Sequence, residues 1–335
     1  MDQEDKMKRL SIILSTIGFL LLAATACEED GNSPIASLEN DETTIEELAV
    51  SDENELLFDA LVDDGNEDNM YDGFSTFDNN MGKVTAPIDS VWRFGRRFNP
   101  QPRRAIRDFR RISEDTALVA VHRLFTGQFV IFEKNADSTG RQAMIHRKRL
   151  NHATHRNAIF VKRETDTGRM RWQLDAVSFG QGESRPETTI DILETHITSD
   201  RGLDLLITNP LQTFLNSRNE IPTVVPGETI TVQIKLNNLT ANPVDMGNGA
   251  TETVLLHYGI NLRHHARARF EYTGTDPVNG AQIYVGSWTI NQRPGHVYHA
   301  AFDVIDNGTI FDDDATVFPY NSMVWSLPYR VAEID

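Results

Sequence analysis

Ten histidines, a single cysteine and forty-nine acidic residues are the raw material for chemistry in this chain of 335 residues. His152-Ala-Thr-His155 and His296-Val-Tyr-His299 each set two imidazoles three residues apart, a spacing that on a helix offers both to one zinc ion. Neither pair encloses the glutamate of an HExxH helix, and the second lies in a strand-like run, where this spacing turns the rings to opposite faces. The acidic stretch Asp303–Asp314 is the other metal candidate. Set against an EF-hand loop it puts Asp303, Asn307 and Asp314 on ligand positions, but Ile305 occupies the third position and spoils the match. What remains is the expectation of a weak structural calcium site through Asp306, Asp312 and Asp314, competing with a reading of the same residues as turn caps. No other cofactor is implied. Gly-x-Ser-x-Gly and a Walker-type phosphate loop are both absent, so covalent and phosphoryl chemistry have no motif here. His122 and Asp175 could serve as bases in a pocket, although both lie in strand-like runs where a structural role is commoner.

A second constellation is electrostatic. Arg93, Arg96, Arg97, Arg103, Arg104, Arg107, Arg110 and Arg111 are interleaved with Trp92, Phe94, Phe98 and Phe109. Guanidinium forks beside aromatic rings are the composition of an anion-binding surface, and these eight are its candidates. The charge is also laid out in blocks. Residues 27–82 carry eighteen Asp and Glu and no Lys or Arg, whereas residues 83–173 carry twenty Lys and Arg against eight Asp and Glu. Blocks of opposite sign in one chain meet at high effective concentration, so the acidic arm is expected to compete for the basic block.

The elements that must position these groups change along the chain. Residues 27–52, rich in Glu, Asp, Asn, Ser and Thr, read as a flexible acidic linker. Leu56, Leu57, Ala60 and Leu61 at helical spacing predict a short helix from Glu53, and Met70, Tyr71, Phe74 and Phe77 a second short helix or an aromatic-packed loop. From Thr116 the period becomes that of strands: TALVAVHRLF and GQFVIFEK predict a hairpin turning at Thr126-Gly127, followed by strands over 143–150, 157–163 and 169–179. The Gly/Ser/Pro stretch GQGESRPE marks a junction. Beyond it, TTIDILETHITS, VPGETITVQIKLNN, ETVLLHYGI, ARARFEYTG, QIYVGSWTI, PGHVYHAAFDVI and MVWSLPYRV predict about seven strands separated by turns.

Two short helices followed by long antiparallel strands, the last carrying RWQL-x-x-VS, resemble the curved-sheet cone of the NTF2-like superfamily over residues 53–180. The VPGETITVQIKLNN run resembles the opening strands of bacterial immunoglobulin-like surface modules and implies a β-sandwich over 186–335. The fold expected is therefore α+β plus all-β, an NTF2-like domain and an Ig-like sandwich.

Location is carried by Met7–Asp30. Lys8 and Arg9 precede an apolar run of about fourteen residues, too short to span a bilayer, and small residues lead to Cys27. This segment resembles a bacterial lipoprotein signal peptide, residues 1–26, cut before a cysteine that is acylated; Met1 and Met7 are the two candidate start codons. Glu28, Glu29 and Asp30 resemble the signal that exposes Bacteroidota lipoproteins on the outer face of the outer membrane, the periplasmic leaflet being the alternative. The resemblance implies a membrane partner through the lipid on Cys27. It also makes an acidic glycan or an envelope protein a better partner than nucleic acid. A binding or scaffolding role is favoured; the alternative is an enzyme using a pocket in the cone on a small polar molecule or glycan.

Overall fold

Val, Ile, Phe and Thr alternating with polar residues favour pleated, half-buried strands. In the computed structural model strands dominate the described residues, which are 34–49, 88, 91–99, 105–133, 144–259 and 265–333. The first group comprises β1 (Val91–Phe98), β2 (Ala105–Ser113), β3 (Thr116–Glu133), β4 (Met144–Glu164), β5 (Met170–Ser178) and β6 (Gly180–Ser184). There follow β7 (Ile190–Ser199), β8 (Asp204–Ile207), β9 (Phe214–Asn216), β10 (Thr223–Val224) and β11 (Thr229–Asn238). The last are β12 (Glu252–Gly259), β13 (His265–Arg269), β14 (Glu271–Thr275), β15 (Gln282–Thr289), β16 (Val297–Asp306) and β17 (Ser322–Val331).

Twelve of these strands form one large sheet that curls into a half-barrel, with the order β1-β3-β4-β6-β17-β16-β12-β13 along its spine. The other five form a second sheet in the order β14-β15-β11-β7-β8. The second sheet covers the outer side of the C-terminal strands of the first: the rings of Tyr258 and Trp288 lie 5.7 Å apart, and those of Phe270 and Phe302 6.3 Å. Ile230, Val232, Ile234 and Leu236, every second residue of β11, are all buried, so the alternation seen in the sequence marks the inward face. The described residues are predominantly β and form two sheets.

Three local readings change. The hairpin expected at Thr126-Gly127 is absent: β3 runs unbroken for 18 residues and pairs with β4 from Thr116↔Val161 to Glu133↔Met144. Gly127 is instead where the other neighbour of β3 changes, from β2 along its first half to β1 along its second. A Cβ at 127 would stand 2.0 Å from the Arg97 carbonyl oxygen, and the Asn99 amide donates to the Thr126 carbonyl at 2.8 Å. The glycine is there for close approach, not for a turn.

The stretch read as a junction is also a strand. β6 inserts between β4 and β17, with His152↔Ser184 on one side and Met323↔Glu183 on the other, so strands from both halves of the chain share one sheet. Lastly, a helix, α1 (Pro34–Ala49), occupies much of the segment expected to be a flexible linker. Pro34 at its first position forfeits no hydrogen bond, since the N–H there has no helical partner. The chain forms two units, residues 1–46 and 47–335. Cys27, the signal segment, the two short helices expected over 53–77, and Arg103 and Arg104 lie outside the described residues.

Candidate functional site

The concave interior of the half-barrel has an apolar floor, formed by Phe94, Phe129, Ile131, Leu150, Leu255, Ile305, Ile310 and Phe311. Among these side chains lies a polar network. Arg96 on β1, in phase with Phe94 and Phe98, extends inward and binds Asp303 of β16 through both terminal nitrogens, at 2.5 and 2.8 Å. Asp303 also accepts from Ser322 Oγ at 2.9 Å and lies 3.2 Å from His257 Nε2. Arg96 Nε donates to Tyr320 Oη at 2.7 Å, and Tyr320 lies 3.0 Å from His152 Nδ1. The guanidinium can only donate, so Tyr320 Oη accepts from Arg96, and its contact with Nδ1 leaves Nε2 as the ring nitrogen directed away from the tyrosine. Gly182 of β6 packs on that nitrogen; a Cβ there would come within 2.5 Å.

Burial sets the electrostatics. The Arg96 and Asp303 side chains are 3% and 1% exposed. Burial acts to raise the Asp303 pKa, but the Arg96 charge and the His257 and Arg96 hydrogen bonds hold it well below the usual carboxylate range. Burial pushes the Tyr320 phenol up to about 12, opposed by Arg96 and reinforced by Asp303. Deeper toward α2 (Asn307–Phe311), Lys148 donates to the carbonyls of Gly308 and Phe318 at 2.7 and 2.6 Å. Burial lowers its pKa to about 8, partly offset by Asp312, Asp306, Asp313 and Asp314. Where the two sheets meet, Glu252 accepts from Tyr284 at 2.8 Å, from Gln282 at 3.1 Å and from Thr251. Burial raises its pKa against the pull of those hydrogen bonds.

The metal candidates are dispersed. His152 is buried in the concave interior, whereas His155, on the opposite face of β4, packs edge-on against His122 with centroids 4.3 Å apart. Asp306 caps α2 through the Gly308 amide and accepts from Asn238 at 2.9 Å. Asp312 accepts from the Asp314 amide, and Asp314 from those of Thr316 and Val317. Asp306, Asp312 and Asp314 therefore act as turn and helix caps, and among the described residues no three His, Cys, Asp or Glu come together to hold a metal. Asp175 is paired with Arg163.

The arginine run does not form one surface. Arg96 departs from the expectation of an exposed anion ligand because its parity on β1 turns it inward onto Asp303. Arg93 and Arg97 have the opposite parity, and the Arg93 guanidinium lies over the Phe132 ring at 5.9 Å. Arg111 bonds the carbonyls of Ser113 and Glu114, Arg110 is exposed, and Arg107 lies in β2. Sequence reasoning missed Lys148 and Arg156, both buried on β4, the latter donating to Ser326 at 3.1 Å. A signal for them existed: 148, 152 and 156 share the phase of Leu150, Ala158 and Phe160, and a polar residue in an apolar phase needs an internal partner.

An open, polar groove of about 590 Å³ lies at the β4–β5 end, lined by Arg163, Glu164, Thr165, Asp166, Gln173 and Arg218. Its cations are partly engaged: Arg218 donates to Gln173 at 2.6 Å, while Arg163 pairs with Asp175. Fold and site together define a two-sheet β protein with an ionic interior and polar outer surfaces. No protein-family model, curated protein or solved structure matches the chain.

Proposed function

We propose that the protein is an exported, lipid-anchored binding or scaffolding protein of the bacterial envelope, displayed on the outer face of the outer membrane and without catalysis of its own. The observation that carries the binding reading is the interior network. His, Asp, Arg and Tyr converge there, but both Asp303 oxygens are taken by protein donors and Tyr320 bridges Arg96 to His152, so these groups tie strands to one another. A general acid or base needs reach to a substrate, and groups this buried and mutually bonded serve to hold the sheet in shape. The lipid address rests on Lys8, Arg9, the apolar run and Cys27. Among the described residues no helix is long and apolar enough to cross a membrane.

The finer architectural reading is part of the same proposal. Long antiparallel strands β3 and β4 on a curved sheet support an NTF2-like cone, and the facing sheets around β11 and β16 support an Ig-like sandwich. The address is tested by following palmitate incorporation and membrane fractionation in cells. Cys27→Ala, or globomycin treatment of the wild type, should abolish labelling and leave the precursor uncleaved; unchanged labelling and mobility would overturn the lipid anchor.

A further inference from the structure

The outer face of β1, β3 and β4 brings together arginines that the sequence keeps some fifty residues apart. The register aligns three rows across the strands: Arg93, Phe132 and Ile145; Gly95, Val130 and Arg147; Arg97, Gln128 and Arg149. Residues of opposite parity, Phe94, Arg96, Phe129, Ile131, Lys148 and Leu150, are all buried in the concave interior, which fixes these rows as outward. Arg97, Arg147, Arg149 and Gln128 are exposed. Same-face neighbours along a strand are about 6.8 Å apart and adjacent strands about 4.8 Å, so Arg97 and Arg149 stand roughly 10 Å apart across β3. Among the described residues of these rows none is Asp or Glu; Glu133 has the inward parity and meets His146 at 2.9 Å.

We infer that this face binds an acidic polysaccharide, the exposed guanidinium groups of Arg97, Arg147 and Arg149 pairing with carboxylate or sulfate groups on successive sugars. The inference deepens the binding reading above and rests on it. Arginine forks suit planar or trigonal oxyanions bidentately, and forks spread over the convex side of the sheet suit a linear chain of anions better than a single compact one. A bilayer is a poorer fit, because the exposed apolar side chain, Ile145, lies at one end of the patch and forms no wedge. A single-stranded nucleic acid needs aromatic platforms, and Phe132, the one ring in these rows, is covered by Arg93.

The test is calorimetric titration of the full chain with size-defined heparin oligosaccharides, at low salt and at ~0.15 M. Binding should weaken as salt rises, and Arg147→Glu with Arg149→Glu should weaken it by about tenfold or more while leaving the melting temperature unchanged. Arg201→Glu with Arg293→Glu makes the same change in net charge on exposed turns elsewhere and should leave affinity within about twofold. Equal losses in the two double variants, no heparin binding, or binding only to phosphatidylglycerol vesicles would each overturn the glycan face. None of these readouts involves Cys27, so failure here and failure of the acylation test are separable.

Discussion

At the scale of single residues, Arg96 and Asp303 show how poorly a charge's location follows from its type. They lie 207 positions apart in sequence, and either alone would be costly to bury. Removing one partner leaves the other charged and dry, so Asp303→Asn should lower stability by about 3–5 kcal/mol at neutral pH in urea denaturation. The sign of the pH dependence follows from the lowered pKa. A carboxyl held below its unfolded value of 3.8 contributes stability that is present above about pH 4 and is lost as pH falls through the folded value. Wild type and Asp303→Asn should therefore converge as the medium is acidified; a constant gap across that range would remove Asp303 from the account. Legibility at this scale was partial. The phase of Arg96 with Phe94 and Phe98 was open to inspection, but its acceptor on β16 was not, since nothing local to VWRFGRRF points to residue 303.

At the scale of elements, alternation carried the reading. β11, β16 and β17 are strands where TITVQIKLNN, VYHAAFDVI and MVWSLPYRV predicted them. Glycine was the misleading residue. In Thr126-Gly127 and in GQGES it suggested a turn and a junction, whereas in the structure it makes room, at 127 for the Arg97 carbonyl and at 182 for the His152 ring. Both neighbours arrive from distant sequence, so the local pattern could not separate a bend from a close approach. Gly127→Ala must displace backbone, and a loss of about 1–3 kcal/mol is expected, with a lowered urea midpoint. A neutral substitution would mean that β1 does not close on β3 at this point. The helix over Pro34–Ala49 was missed for a different reason, because acidic composition outweighed the spacing of Ile35, Leu38, Ile45 and Leu48.

At the scale of the whole molecule, charge layout was visible in the sequence and its placement was not. The basic block was read as one arginine-rich run, yet β1 sends Arg96 inward and recruits Arg147 and Arg149 from β4 onto the outer face. Eighteen acidic residues over 27–82 remain linked in series to that face and should compete with external polyanions for it. A chain lacking residues 27–52 is therefore expected to bind heparin more tightly at low salt, with the advantage shrinking near ~0.15 M as screening shortens to about 8 Å. Equal retention at both salt concentrations would show that the acidic arm plays no such part.

The strand order has one more effect, on the timing of synthesis. β17 closes on β6 and β16, so the second edge of β6 waits for residues 322–331 before it is paired. Closure over such separations is slow, and a nascent chain presents unpaired edges throughout that interval. A holdase that meets the polypeptide during synthesis would thus find an open client almost until its last strand emerges.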